Sequence, residues 1–148
     1  MHDIQKIRDF GPLLGRCGHL ARERMDARLA PYGVTPAQIH VLMYLNRHGG
    51  QAPQNEVTGH LRVKPSTANG ILDRMEEKNL VERSVSETDA RRRLITLTDK
   101  GREQQEVFRQ VAGETETLMR AGLSQEEQET FLRLLRQVLT TLEEARGL

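Results

Sequence analysis

Residues 65–98 read PSTANGILDRMEEKNLVERSVSETDARRRLITLT, and their periodicity changes once, from helical to extended. Across residues 65–79, Ala68, Ile71, Leu72 and Met75 fall at i, i+3, i+4 and i+7, which makes one complete apolar stripe. The side left exposed at the start of this helix is short and polar: Ser66, Thr67, Asn69 and Gly70. Residues 80–86 and 94–98 are β-branched-rich runs and predict two strands. The residues between them, 87–93, exceed the roughly two to five of an ordinary hairpin loop. That loop holds three adjacent arginines, Arg91, Arg92 and Arg93.

Upstream, Thr35-Pro36-Ala37-Gln38 predicts a helix start. Thr caps, Pro fits the first helical position, and Gln at the third closes a capping box. Ile39, Val41, Leu42 and Leu45 follow, and Gly49-Gly50 ends the helix. A shorter helix follows Pro53, with Val57 and Leu61 on one face. The first long helix is predicted over about residues 12–29, from Gly11-Pro12, with Leu13, Leu14, Cys17, Leu20 and Ala21 as its stripe. Residues 4–10 suggest a turn or two of their own, and Pro31 and Gly33 break the chain. Downstream, Thr98 can cap a helix carrying Phe108, Val111, Ala112, Thr115, Leu118 and Met119. Gly122-Leu123 interrupts it, and Ser124 with Glu127 forms a second capping box. Phe131, Leu134, Leu135, Val138, Leu139 and Leu142 then line the last helix.

The composition suits such helices. The 148 residues fit one domain, 29% are charged, 3% are aromatic and none is Trp. Helices of this kind often bury their stripes against a second copy of themselves. Net charge is only +1, but its distribution is uneven. Residues 60–102 carry ten Lys/Arg against seven Asp/Glu, and residues 103–148 carry five against nine. The single cysteine, Cys17, excludes an intramolecular disulfide framework and fits a reducing compartment. No secretory leader or membrane span is visible, so a cytoplasmic protein without membrane association is expected.

Short helix, tight turn, helix, strand, long basic loop and strand, in that order, make a helix-turn-helix followed by a β-wing. The major groove of duplex DNA is about 12 Å wide, admits one helix, and presents distinguishable donors and acceptors on each base pair. A reading helix needs one apolar face for anchorage and short polar side chains near its N-terminus. The helix over residues 65–79 has both. Arginines in the loop can reach phosphates or enter the minor groove, whose potential attracts Arg.

At this point the sequence resembles a family. Val81-Glu82-Arg83, then Asp89-Ala90-Arg91-Arg92-Arg93-Leu94-Ile95-Thr96-Leu97-Thr98-Asp99-Lys100-Gly101, is similar to the wing of MarR-type regulators (multiple antibiotic resistance regulators). Pro65-Ser66-Thr67 and the run from Ile71 to Val81 resemble their reading helix. Residues 32–38 and the Gly122-Leu123-Ser124 turn resemble the starts of other helices of that family. The resemblance implies a mostly α protein with a small β-wing. Its protomer is a winged helix-turn-helix of six helices and a two- to three-stranded antiparallel sheet. Residues 1–34 and 100–148 would supply the dimerisation helices of an intertwined homodimer, and 35–99 the DNA-binding lobe. Two such helices would enter successive major grooves of a pseudo-palindrome, as in a repressor.

By position, the resemblance puts Ser66, Thr67, Asn69, Gly70 and Arg74 at the DNA. Arg91 would enter the minor groove, with Arg92 and Arg93 on phosphates. Asp89 would orient Arg91 or pair with Arg74. Gln54, Asn55 and Lys64 are candidate phosphate contacts. Lys64 stands where a Ser, Thr or Asp cap is commoner, and Gly70 costs up to about 1 kcal/mol of helix stability relative to Ala.

The same resemblance brings a small aromatic or anionic ligand into consideration, in a cleft bordered by Arg16, His19, His40 and Tyr44. Cys17 is a candidate redox thiol, against the ordinary reading of a buried, inert cysteine. The histidines His2, His19, His40, His48 and His60 are scattered. With no nucleophile elbow, phosphate-cradling Gly loop or paired-carboxylate signature, neither catalysis, a metal nor a cofactor is expected. The alternative function is a helix-turn-helix protein-interaction module without specific DNA binding. The three wing arginines speak against it.

Overall fold

Caps decide where most of these helices begin and end. The computed structural model describes residues 3–147, so His2 lies outside the described residues. A 3-10 turn, Ile4–Lys6, precedes α1 (Phe10–Leu29). α1 begins ahead of Pro12, which its first turn tolerates because N–H groups there have no helical partner. A second 3-10 turn, Ala30–Tyr32, closes on Gly33 at φ 63°.

α2 spans Pro36–Arg47. Thr35 Oγ1 accepts from the Gln38 N–H at 3.2 Å, and the Thr35 N–H donates to Gln38 Oε1 at 3.3 Å, which is the capping box the sequence suggests. At its other end Gly49 takes φ 73°, and the Gly50 N–H reaches back to the Leu45 carbonyl at 2.7 Å.

β1 (Gln51–Pro53), α3 (Gln54–Leu61) and α4 (Pro65–Glu77) follow. α4 stops short of Asn79 because residues 78–80 close it. Asn79 adopts φ 62°, its N–H donates to the Glu76 carbonyl, and the Leu80 N–H donates to the Met75 carbonyl, both at 2.9 Å. This is a Schellman closure with Asn in the place Gly usually takes.

β2 (Val81–Val85) and β3 (Arg93–Leu97) are each trimmed by one cap relative to the sequence pattern. Leu80 is spent on closing α4. Thr98 starts α5 (Asp99–Arg120) by accepting the Gly101 N–H on Oγ1 at 3.0 Å while donating to the Asn79 carbonyl. The loop therefore covers 86–92, and Arg93 belongs to β3 opposite Val85. α6 (Gln125–Ala145) begins at the Ser124–Glu127 capping box. The backbone N–H of Ser124 holds the Glu127 carboxyl below its ordinary range.

The sheet is three-stranded and antiparallel in the order β1-β3-β2, with Ala52 opposite Ile95 and Arg83 opposite Ile95 on the other side. β1 is too short to carry a periodic signal. Its Pro53 is tolerated because the strand lies at an edge. Among the described residues there are six α-helices, and no helix is long and apolar enough to cross a membrane.

The chain divides inside α5 into two compact units, Met1–Ala112 and Gly113–Leu148. The first has its core where α2, α3 and α4 cover the sheet, with Leu42, Leu45, Leu72, Met75 and Ile95 essentially inaccessible. A second cluster joins α1, α2 and the first part of α5 through Leu29, Ile39 and Val111. In the second unit, α6 buries none of its residues. Phe131, Leu134, Leu139 and Leu142 stand in the open.

Two glycines on helices predict opposite responses to alanine. A Cβ on Gly101 would overlap the Leu80 carbonyl oxygen and stand 2.8 Å from Leu97 Cδ1. A Cβ on Gly70 would meet only the end of the Arg74 side chain, at 3.8 Å. In urea unfolding at one fixed protomer concentration, Gly101→Ala is expected to lose about 1–3 kcal/mol. Gly70→Ala is expected to gain up to about 1 kcal/mol.

Candidate nucleic-acid interface

The interface is built outward from α4. Its stripe Ala68, Ile71, Leu72 and Met75 is buried, so Ser66, Thr67 and Asn69 face solvent from the first turns. Gly70 is half-buried and presents no side chain. Lys64 stands at the N-cap without a side-chain cap bond, and its carbonyl takes the Ala68 N–H at 3.0 Å. The first-turn N–H groups are thus left uncapped by side chains, an arrangement that favours a nearby anion. Lys64 itself is exposed beside them.

Two clamps hold α4 at this angle. The Arg83 guanidinium donates to Asp73 and to Glu76, and its backbone N–H donates to Glu76 Oε2 at 3.1 Å. The hydrogen bond to Asp73 leads in raising the Arg83 pKa above its ordinary value, so the clamp stays charged. At the C-cap of α4, Lys78 Nζ donates to the Gly33 carbonyl and to Gln38 Oε1.

The wing loop is folded by its own polar groups. The Ser86 N–H donates to the Arg92 carbonyl at 2.8 Å, and the Arg92 N–H to the Asp89 carbonyl at 3.0 Å. Asp89 Oδ1 accepts the Arg91 backbone N–H at 3.0 Å. Of the two expected roles of Asp89, this is the orienting one, exercised through the Arg91 main chain; no ion pair joins it to Arg74 among the described residues. The bond is that of an Asx turn, which folds the carboxylate back onto its own loop.

The three arginines differ. Arg91 is exposed, with no carboxylate partner among the described residues. Arg92, expected on a phosphate, is exposed, and its Nη2 lies 3.3 Å from Glu56 Oε1 of α3. Arg93 is exposed at the start of β3 rather than in the loop.

Between the wing and α3 lies an open groove of about 870 Å³, lined by Asn55, Thr58, Arg62, Arg91 and Arg93 and closed off by Pro65 at the start of α4. Arg62 and Thr58 went unnoticed in the sequence. Arg62 adopts φ 56° as the residue that turns α3 toward α4. A cation in the turn of a helix-turn-helix was the available signal. Gln54, another expected phosphate contact, is tied to α4. Its Nε2 donates to Asn69 Oδ1 at 2.5 Å, and its Oε1 is buried with no hydrogen-bond partner. Asn55 remains exposed on the groove.

No hydrogen bond, ion pair or ring contact among the described residues joins the four expected effector residues to one another. Arg16 is exposed on α1, and His19 on the same helix pairs with Glu23 at 3.3 Å. His40 is exposed on α2. Tyr44 turns toward α3 and the core. Its ring stacks on His48 at 4.1 Å between centroids and meets His60 at 4.7 Å. Helical spacing puts Tyr44 one turn before His48, which is why they meet. Cys17 is exposed in the protomer, contrary to the buried cysteine that is commonest.

Comparison with known proteins agrees with this geometry. Residues 32–92 match the model of the MarR family. The chain is 42% identical over 69 residues to the HTH-type transcriptional repressor MdtR of Bacillus subtilis, a match covering 47% of this chain and 44% of MdtR. It is 29% identical over 126 residues to an HTH-type transcriptional repressor of Mycobacterium bovis, covering 85% of this chain and 90% of that one. Among solved structures, a Staphylococcus aureus MepR–DNA complex superposes with a TM-score of 0.74 at 30% identity, over 92% of this chain and 99% of MepR. With the winged helix, its signature residues and a relative matched along almost its whole length, the chain belongs to the MarR family.

Proposed function

We propose that this protein is a sequence-specific DNA-binding transcriptional regulator, a repressor, that holds a pseudo-palindromic operator as a homodimer. α4 enters the major groove with Ser66, Thr67 and Asn69 toward base edges, and Arg91 reaches the adjacent minor groove. The observation that carries this reading is one groove on which α3, the start of α4 and the wing arginines converge, with Arg91 free of any carboxylate partner among the described residues. Lys64, Arg62 and Asn55 are the phosphate contacts this reading prefers, and Arg74 lies one turn farther along α4.

Relatives support the assignment. MdtR and the mycobacterial protein are named transcriptional repressors, and MepR has been crystallised with DNA. The dimer is supported by the apolar side chains left open on α1 and α6, among them Leu13, Leu14, Leu20, Phe131 and Leu142. Residues 1–34 and 100–148 supply that interface, and 35–99 form the DNA-binding lobe. Binding of a small aromatic or anionic ligand belongs to this proposal. Such a ligand acts only through a difference in affinity between the dimer states that fit and misfit two half-sites about one helical turn apart. A cytoplasmic location follows from the same function.

Two variants test the reading on a labelled duplex covering DNA upstream of this protein's own gene. Arg91→Ala is expected to weaken binding about 10- to 100-fold, the worth of one charged hydrogen bond, and to flatten the log–log salt slope by about one. Its circular dichroism and dimer mass should match wild type. Wild-type affinity in Arg91→Ala would remove the wing from the interface. A folded wild-type dimer that binds no DNA at low salt would favour the protein-interaction reading.

Glu56→Gln releases Arg92 from its ion pair and removes the negative charge beside that groove-lining arginine. It is expected to tighten binding by roughly three- to tenfold at low salt and less as salt rises. Unchanged affinity at every salt would show that Arg92 stays out of the complex.

A further inference from the structure

Asn69 stands on the exposed side of α4, and its carboxamide has an accepting and a donating end. A free asparagine reads adenine with both, accepting from N6 and donating to N7. Here the accepting end is already engaged, by Gln54 Nε2 at 2.5 Å. Gln54 is the first residue of α3, so the bond ties the recognition helix to the helix before it.

The direction of that bond follows from burial. Gln54 Oε1 is shut away from solvent without a partner. Reversing the Gln54 amide would bury an NH2 group with two unsatisfied donors in its place. A carbonyl with unused lone pairs is the better tolerated orphan. The donating end of Gln54 is therefore kept toward Asn69, which keeps the Asn69 carbonyl on Gln54 and its NH2 group outward.

We infer that Gln54 is a positioning residue that makes Asn69 a donor to DNA, so that the base pair facing it is read as guanine rather than adenine. Guanine offers two neighbouring acceptors, N7 and O6, to an NH2 group. Adenine offers one acceptor beside an N6 donor that needs a carbonyl in return. This inference rests on the DNA-binding function proposed above and names how one residue of that interface chooses its base.

The test is selection from a randomised duplex library with full-length wild type, Asn69→Ala, Gln54→Leu and Gln54→Glu, each checked for dimer mass and circular dichroism. The position whose preference collapses with Asn69→Ala identifies its base pair. Wild type is expected to select G·C there. Gln54→Leu should shift that position toward A·T by roughly three- to tenfold, the worth of one hydrogen bond, because the released carbonyl can now accept from adenine. Gln54→Glu keeps the length of the side chain but cannot donate. It should also lose the guanine preference, with its added charge lowering affinity for all sequences alike. Adenine selected by wild type, an Asn69→Ala profile identical to wild type, or a guanine preference that survives in Gln54→Leu or Gln54→Glu would each overturn the inference while leaving DNA binding intact. No enrichment by folded wild type would instead overturn the DNA-binding function itself.

Discussion

The placement of α4 governs the rest of the molecule. Four apolar residues at helical spacing lock one side of it into the core, so the other side has no choice but to face outward. A helix held by its stripe alone could still rock about its axis. Arg83 resists that by joining β2 to Asp73 and Glu76, and Lys78 pins the C-cap of the helix to the turn before α2. The clamp also gathers two carboxylates of α4 onto one arginine of the sheet, which offsets part of their charge. The sheet, α2 and the reading helix therefore form one body, and the first turn of α4 projects from it with its N–H groups uncapped by side chains.

Charge around the groove is managed in pairs. Of the three adjacent arginines, one is exposed without a carboxylate partner, one is tied to α3, and one has become part of a strand. Glu56 holds the wing against α3 through Arg92, at the cost of a carboxylate near the place where phosphates would come. Asp89 also lines the groove, with one carboxylate oxygen on the Arg91 backbone N–H. A tract that reads as uniform cationic density in one dimension becomes three separate roles, because successive residues near a strand point in different directions.

The remaining elements make sense only with another copy. α6 has a continuous apolar side and no buried residue, and α1 exposes Leu13, Leu14 and Leu20. The apolar area set aside on these helices matches the homodimer proposed for this protein, in which the spacing of two α4 helices would set which operator fits.

The sequence by itself determined the local grammar: the stripe of α4, the capping boxes at Thr35 and Ser124, the breaks at Gly33, Gly49 and Gly122, and the order of helix, helix, strand, basic loop and strand. These are properties of residues within a few positions of one another, so periodicity and cap chemistry suffice. β1 was illegible because three residues carry no period, and its existence depends on Ile95 lying alongside. Element ends shifted by a residue or so where Leu80, Asn79 and Thr98 serve caps rather than strands. The side-chain partnerships were decided only by tertiary structure. Arg92 meets Glu56 across 36 residues, Gln54 meets Asn69 across 15, and Tyr44 turns to His60 instead of joining the residues expected beside it. Hydrogen bonds and ion pairs are short-ranged and directional, so which ones form is set by the angles at which packed elements cross, and no spacing along the chain encodes those angles.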